Sequence, residues 1–152
     1  MKRLLLLLAA PLLLPGLLVV AAQTPKPSRL AETLRASRWQ QRVLLVAAPS
    51  AGHADFQHQK KLLATSAAGL ATRDFLVLDV LYDQLSSADQ QFLAHKLGVR
   101  PPTFAAVLIG KDGGVKLRSA QPIAPQTLFD TVDQMPMRRA EMQRATSPQS
   151  PK

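Results

Sequence analysis

Three short apolar runs constrain this chain most: VLLVAA at 43–48, FLVLDV at 75–80 and TFAAVLI at 103–109. The first two are short and continuous enough to fit strands buried on both faces, and the third reads as a further strand. Helical patterns lie between them. Ser28 can cap a short helix carrying Leu30 and Leu34 that ends near Arg38, and Trp39 precedes the first run. After that run, residues 49–52 (PSAG) break the strand and Asp55 predicts a helix N-cap. Phe56, Leu63, Ala67 and Leu70 then share one helical face, with Gly69 as a terminator. Ser87 and Gln90 form a capping box before Phe92, Leu93 and Leu97, and Gly98 follows as a C-terminal glycine.

Past the third run, Gly110-Lys111-Asp112-Gly113-Gly114 reads as a hairpin turn, and Val115-Lys116-Leu117-Arg118 alternates as a half-buried strand should. Pro125 opens a last helix with Leu128, Phe129, Val132 and Met135 on one face. Pro136 interrupts it, and residues 137–144 resume as a short basic segment. The order is α-β-α-β-α-β-β-α. Strands separated by helices predict parallel pairing, and the closing hairpin is antiparallel. The expected fold class is α/β: a three-layer sandwich with a small mixed sheet and helices on both faces.

The termini set the compartment. Lys2 and Arg3 precede an uncharged apolar run at 4–22, and Val20-Ala21-Ala22 supplies small residues for cleavage. Residues 1–22 are expected to be a cleavable signal peptide, making the protein periplasmic or secreted. The competing reading is an uncleaved anchor, which the run is long enough to form but which Pro11, Pro15 and Gly16 interrupt. Residues 23–29 read as a linker, 30–144 as one domain and 145–152 as a disordered tail.

The chain contains no cysteine. Disulfide staples and lipid attachment through a thiol are excluded, so the domain must hold together by its core. Of the 19 Lys and Arg residues, removing Lys2 and Arg3 leaves 17 against 10 acidic residues, a net charge of +7. Outside the cytoplasm such a surface meets lipid head groups, acidic polysaccharide or acidic protein, and no nucleic acid partner is expected.

The element order, with Val99-Arg100-Pro101-Pro102-Thr103 leading into the third strand, resembles the thioredoxin fold. That resemblance implies a cis Pro101–Pro102 bond and a site where the loop at 49–55 faces 100–103. Four segments together resemble the P-DUDES family, a thioredoxin-like domain of unknown function in exported bacterial proteins and secreted animal matrix proteins. They are Trp39-x-x-Arg42 entering the first run, Arg73-Asp74 before the second, residues 110–118, and Asp133-x-Met135-Pro136-Met137-Arg138-Arg139-x-Glu141-Met142. The resemblance covers residues 30 to 142 and implies a fold without an activity.

Thiol oxidoreductase, isomerase and peroxidase chemistry needs a thiolate and is excluded by composition. Ser50, His53 and Asp55 are the residue types of a nucleophile, base and orienting acid, but no G-x-S-x-G elbow holds them. Their simpler reading is a helix cap and loop residues. His53, His58 and His95, with Asp55, offer zinc-type ligands, yet His53 and His58 are five apart and off one helical face. Met135, Met137 and Met142 offer soft ligands for Cu(I), while Met135 also continues an apolar face. No cofactor or metal is expected. Arg138, Arg139 and Arg144 form a basic cluster suited to an anionic membrane surface, an acidic protein or plain solvation. The leading expectation is a non-enzymatic binding module, with an extended peptide read at Ser50, His53, Asp55, Arg100, Pro102 and Thr103.

Overall fold

A computed structural model describes residues 28–146. The expected signal peptide and most of the expected tail lie outside the described residues. The elements run α1 (Arg29–Ser37), β1 (Arg42–Ala48), α2 (Ala54–Ala64), α3 (Ala67–Ala71), β2 (Phe75–Leu81), a 3-10 turn (Tyr82–Gln84), α4 (Ser87–Phe92), a π-helical turn (Leu93–Leu97), β3 (Ala105–Ile109), β4 (Val115–Ser119), α5 (Pro125–Asp133) and α6 (Pro136–Thr146).

The four strands form one sheet in the order β2-β1-β3-β4. Side chains on a strand alternate between faces, and the core divides accordingly. Val43, Leu45 and Ala47 of β1 join Val107 and Ile109 of β3 beneath Leu30 of α1 and Leu93 and Leu97 of the π-helical turn. Leu44, Val46 and Ala48 join Ala106 and Leu108 beneath Phe56, Leu63, Leu70, Leu128 and Val132 of α2, α3 and α5. Helices thus cover both faces, and β1 and β3 are buried along their whole length. Truncating a fully buried leucine such as Leu44 or Leu108 to alanine costs about 2–5 kcal/mol. This strand order, with a parallel β1–β2 pair, an antiparallel β3–β4 hairpin and a cis Pro101–Pro102 bond before β3, is a thioredoxin-like arrangement without a cysteine.

Several local expectations are corrected. β1 and β2 are parallel, but β3 runs antiparallel to β1, with Ala105 opposite Ala47 and Ile109 opposite Val43. The stretch after Gly98 brings the chain to the end of the sheet where β1 finishes, so β3 must run back along it. β2 is an edge strand and only half-buried, with Asp79 exposed. The helix after β1 divides in two. The Thr65 hydroxyl donates to the Leu62 carbonyl, a local bond that competes with helix continuation.

Gly69 terminates nothing. It lies inside α3, where an added Cβ would sit 2.7 Å from the Phe129 ring of α5. The N-cap of α2 is His53, with Asp55 in the first turn. The cap of α4 is Ser86, one residue before the expected Ser87, and its hydroxyl accepts from the Asp89 amide. Asp89 also accepts from the Ser28 hydroxyl and the Leu30 amide, tying α4 to α1. Burial pushes the Asp89 carboxyl up, but hydrogen bonds from Ser28, Ser86 and Leu30 outweigh it and hold the group below the usual aspartate range. Gly98 does end its helix in the left-handed region, as the sequence predicts.

Candidate functional site

Consider first the end of the sheet where β1 finishes. The turn after β1 leads into α2, and His53 stacks on Phe104 with ring centroids 6.3 Å apart and planes at 6°. That contact joins the loop at 49–55 to the turn at 100–103. Arg100, Pro101, Pro102 and Thr103 are exposed. The Thr103 hydroxyl donates to the Arg100 carbonyl at 2.9 Å, and the Tyr82 hydroxyl donates to the Thr103 carbonyl at 2.7 Å. Burial pushes the Tyr82 hydroxyl up to about 12.

The structure therefore brings the His53 loop to the cis-proline turn. It does not assemble a triad. Among the described residues no hydrogen bond joins Ser50, His53 and Asp55 through their side chains, and the buried His53 Nδ1 has no partner. The Ser50 carbonyl accepts from the His53 amide, an ordinary turn bond. No group of three His, Asp or Glu side chains suited to a metal exists among the described residues.

The opposite end is built from charge. Arg42, the first residue of β1, has 1% of its side chain exposed. Its Nη1 donates to the Arg73 carbonyl at 2.9 Å, and its Nη2 donates to both Glu141 oxygens at 3.1 and 3.2 Å. Lys111, just after β3, donates to Asp74 at 2.7 Å and Glu141 at 2.8 Å. Arg73 grips Asp133 through two bonds, at 3.0 and 2.6 Å, with its guanidinium 4.3 Å from the Phe129 ring centroid. Arg138 bridges Asp133 and Glu141. The expected basic cluster is thereby corrected: Arg138 is consumed in ion pairs, while Arg139 and Arg144 stay exposed.

Burial pushes the Glu141 carboxyl up, but hydrogen bonds from Lys111 and Arg42, with their charges, prevail and hold it below the usual glutamate range. The Arg73 bond likewise holds Asp133 low, against burial. Burial pulls the Lys111 ammonium down, and hydrogen bonds to Asp74 and Glu141 outweigh that and raise it. Trp39 sits beside this network, 63% exposed and with a positive φ of 66°, its amide donating to the Lys111 carbonyl at 2.6 Å. Positive φ is uncommon for a bulky residue.

Between this network and the α5–α6 corner lies a cleft of about 460 Å³, in the range of small-molecule sites. Arg42, Lys111 and Lys116 line one side, and Met135, Pro136 and Met137 the other. Sequence reasoning named none of Arg42, Lys111 or Glu141 as site residues. The available signal was a charge abutting a strand that is otherwise wholly apolar.

A family profile described as "Domain of unknown function (DUF4174)" matches residues 33–141, a span that ends on Glu141 and contains the whole network. Coiled-coil domain-containing protein 80 of Danio rerio is 26% identical over 148 residues, covering 82% of this chain and 17% of that protein. The chain thus spans less than a fifth of that relative's length. A solved structure described as "Crystal structure of Trgpx in apo form" aligns with a TM-score of 0.44 and 22% identity, over 64% of this chain and 81% of that one.

Proposed function

The chain belongs to the DUF4174 family of domains of unknown function, and on that premise we propose that it is a non-enzymatic binding module, exported from the cytoplasm, that holds extended polypeptide at the loop end of its sheet. The observation that carries this reading is the His53–Phe104 stack. It fastens the loop at 49–55 against the exposed turn of Arg100, Pro102 and Thr103, so two segments act as one surface. Exposed backbone in the turn that leads into β3 can pair with an extended peptide, and Arg100 adds a charge-assisted contact to a carboxylate. Without a cysteine the same surface has no thiol step to perform.

Export is supported by the charge and apolar pattern of residues 1–22. The finer resemblance to P-DUDES belongs to the same proposal and is supported by its four segments meeting around Arg42 and Glu141.

Panning a random-peptide library on the immobilised full chain tests the reading. Selected peptides should bind at high salt and lose about tenfold in affinity to Arg100→Glu, the size of one charge-assisted bond. Peptides that bind Arg100→Glu as well as the parent chain would defeat it. Binding confined to low salt would instead assign retention to the net positive charge, with an anionic envelope component as the partner.

A further inference from the structure

We infer that the cleft between the β3–β4 hairpin and the α5–α6 corner binds a small amphiphilic anion: one carboxylate-type head group on a short apolar chain. The site lies away from the peptide surface proposed above and rests on different residues.

Charge comes first. Three cations, Arg42, Lys111 and Lys116, line the cleft with one carboxylate, Asp112, while Glu141 and Asp74, which pair with Arg42 and Lys111, do not line it. The Asp112 carboxylate is already engaged, since Lys116 donates to one of its oxygens at 2.6 Å and the Gly114 amide to the other at 3.0 Å.

Open donors come second. An ammonium has three hydrogens, and Lys111 spends its contacts on Asp74 and Glu141. The Arg42 Nε is buried and no protein group accepts from it. A buried guanidinium donor without an acceptor is costly, and the Arg42 side chain that carries it lines the cleft. The N-terminal end of α6, an 11-residue helix that starts at Pro136 on the cleft wall, adds the positive end of its dipole.

The apolar half follows from the other wall. Met135, Pro136 and Met137 carry no charge, and Met137 is 38% exposed at the lip. Methionine adapts to irregular apolar shapes. A bare inorganic anion would leave that wall unused, and a neutral apolar molecule would leave the donors unused.

Calorimetric titration of the full chain with octanoate, 1-octanol and acetate separates these cases. Octanoate should bind saturably at one site, with octanol and acetate each weaker by about tenfold or more. Met137→Glu and Gln134→Glu place a negative charge at exposed positions on the lip. Each should weaken octanoate by about tenfold and leave the urea midpoint unchanged. Octanol or acetate binding as tightly as octanoate would overturn the inference. So would octanoate binding that survives both substitutions, or no saturable binding at all.

Discussion

Of the nine ion pairs among the described residues, eight gather where β1 begins, and one, Lys60–Asp79, lies toward the end where β1 finishes. The two ends of one sheet are thus fastened by different means. At the beginning of β1, strands, hairpin and α6 are clamped through carboxylates shared between cations. At the finish, loops meet through one ring stack, the Tyr82 hydroxyl bond to the Thr103 carbonyl and the Asp83 amide bond to the Pro49 carbonyl, and backbone is left exposed. A shared carboxylate fixes geometry because moving any partner strands the others. Ion pairs of this kind add little net stability over apolar packing, yet breaking one is expensive when it leaves a buried charge alone. The charged end is therefore the fastened base of the sheet, and the loop end, where we propose a peptide binds, keeps its surface exposed.

Glu141→Ala should break the comparison most sharply. It removes the side chain that binds the Arg42 guanidinium and leaves that buried cation with one carbonyl and a distant Asp74. The expected loss is about 3 kcal/mol, read as a lower urea midpoint. No residue of α6 is buried, so its docking relies on these bonds and α6 should detach first. Arg100→Ala, at the loop end, should stay within about 0.5 kcal/mol of the parent. Equal losses at the two sites would erase the distinction between the two ends.

Acid should find the same end. The Glu141 and Asp133 carboxyls are held below their usual values of 4.5 and 3.8. A carboxylate lowered by folding binds fewer protons in the native state. Its stabilising contribution is complete above the ordinary value and disappears as pH falls through the lowered one. Urea midpoints should stay level near neutrality and decline once pH drops below about 4.5. In Glu141→Ala that decline should be shallower, because one of the linked protons is gone. Asp89 adds to the same decline, through its bonds to neutral donors that join α1 and α4.

How much of this was legible in the sequence turns on one strand direction. The runs at 43–48 and 103–109 announced β1 and β3 through continuous apolar composition, and the structure buries both on two faces. The run at 75–80 has the same composition but lies at an edge, a position that composition does not encode. The loop-end residues were nameable through the resemblance to the thioredoxin fold, and the structure places His53 of that loop against Phe104, next to the turn at 100–103. The charged base was hidden by the pairing rule. A parallel β3 would send Lys111 to the far end from Arg42. The antiparallel β3 returns it beside Arg42, with Asp74 preceding the neighbouring strand. The charges were visible next to each strand, but grouping them required the direction of a strand reached through an irregular turn. Helix boundaries slipped for a smaller reason: competing caps such as Ser86 and Ser87 differ only in which hydroxyl reaches an amide.

The smallest expected effect sharpens the comparison from the other side. Lys60 of α2 contacts both oxygens of Asp79 on β2, at 3.1 and 2.8 Å, a geometry as short as any in the base network except the Arg73–Asp133 and Lys116–Asp112 contacts and those of Lys111. Its side chains are 40% and 39% exposed, so water competes for both charges and salt screens them. Lys60→Met should cost no more than about 0.5 kcal/mol and keep the aliphatic stem against the sheet. That small loss should vanish in 1 M salt, whereas the loss in Glu141→Ala should persist, because buried charge is screened far less. Distance would then fail as a measure of what an ion pair contributes, and burial would be the variable that separates the two ends. A Lys60→Met loss comparable to that of Glu141→Ala, and equally insensitive to salt, would mean the loop end is clamped as firmly as the base.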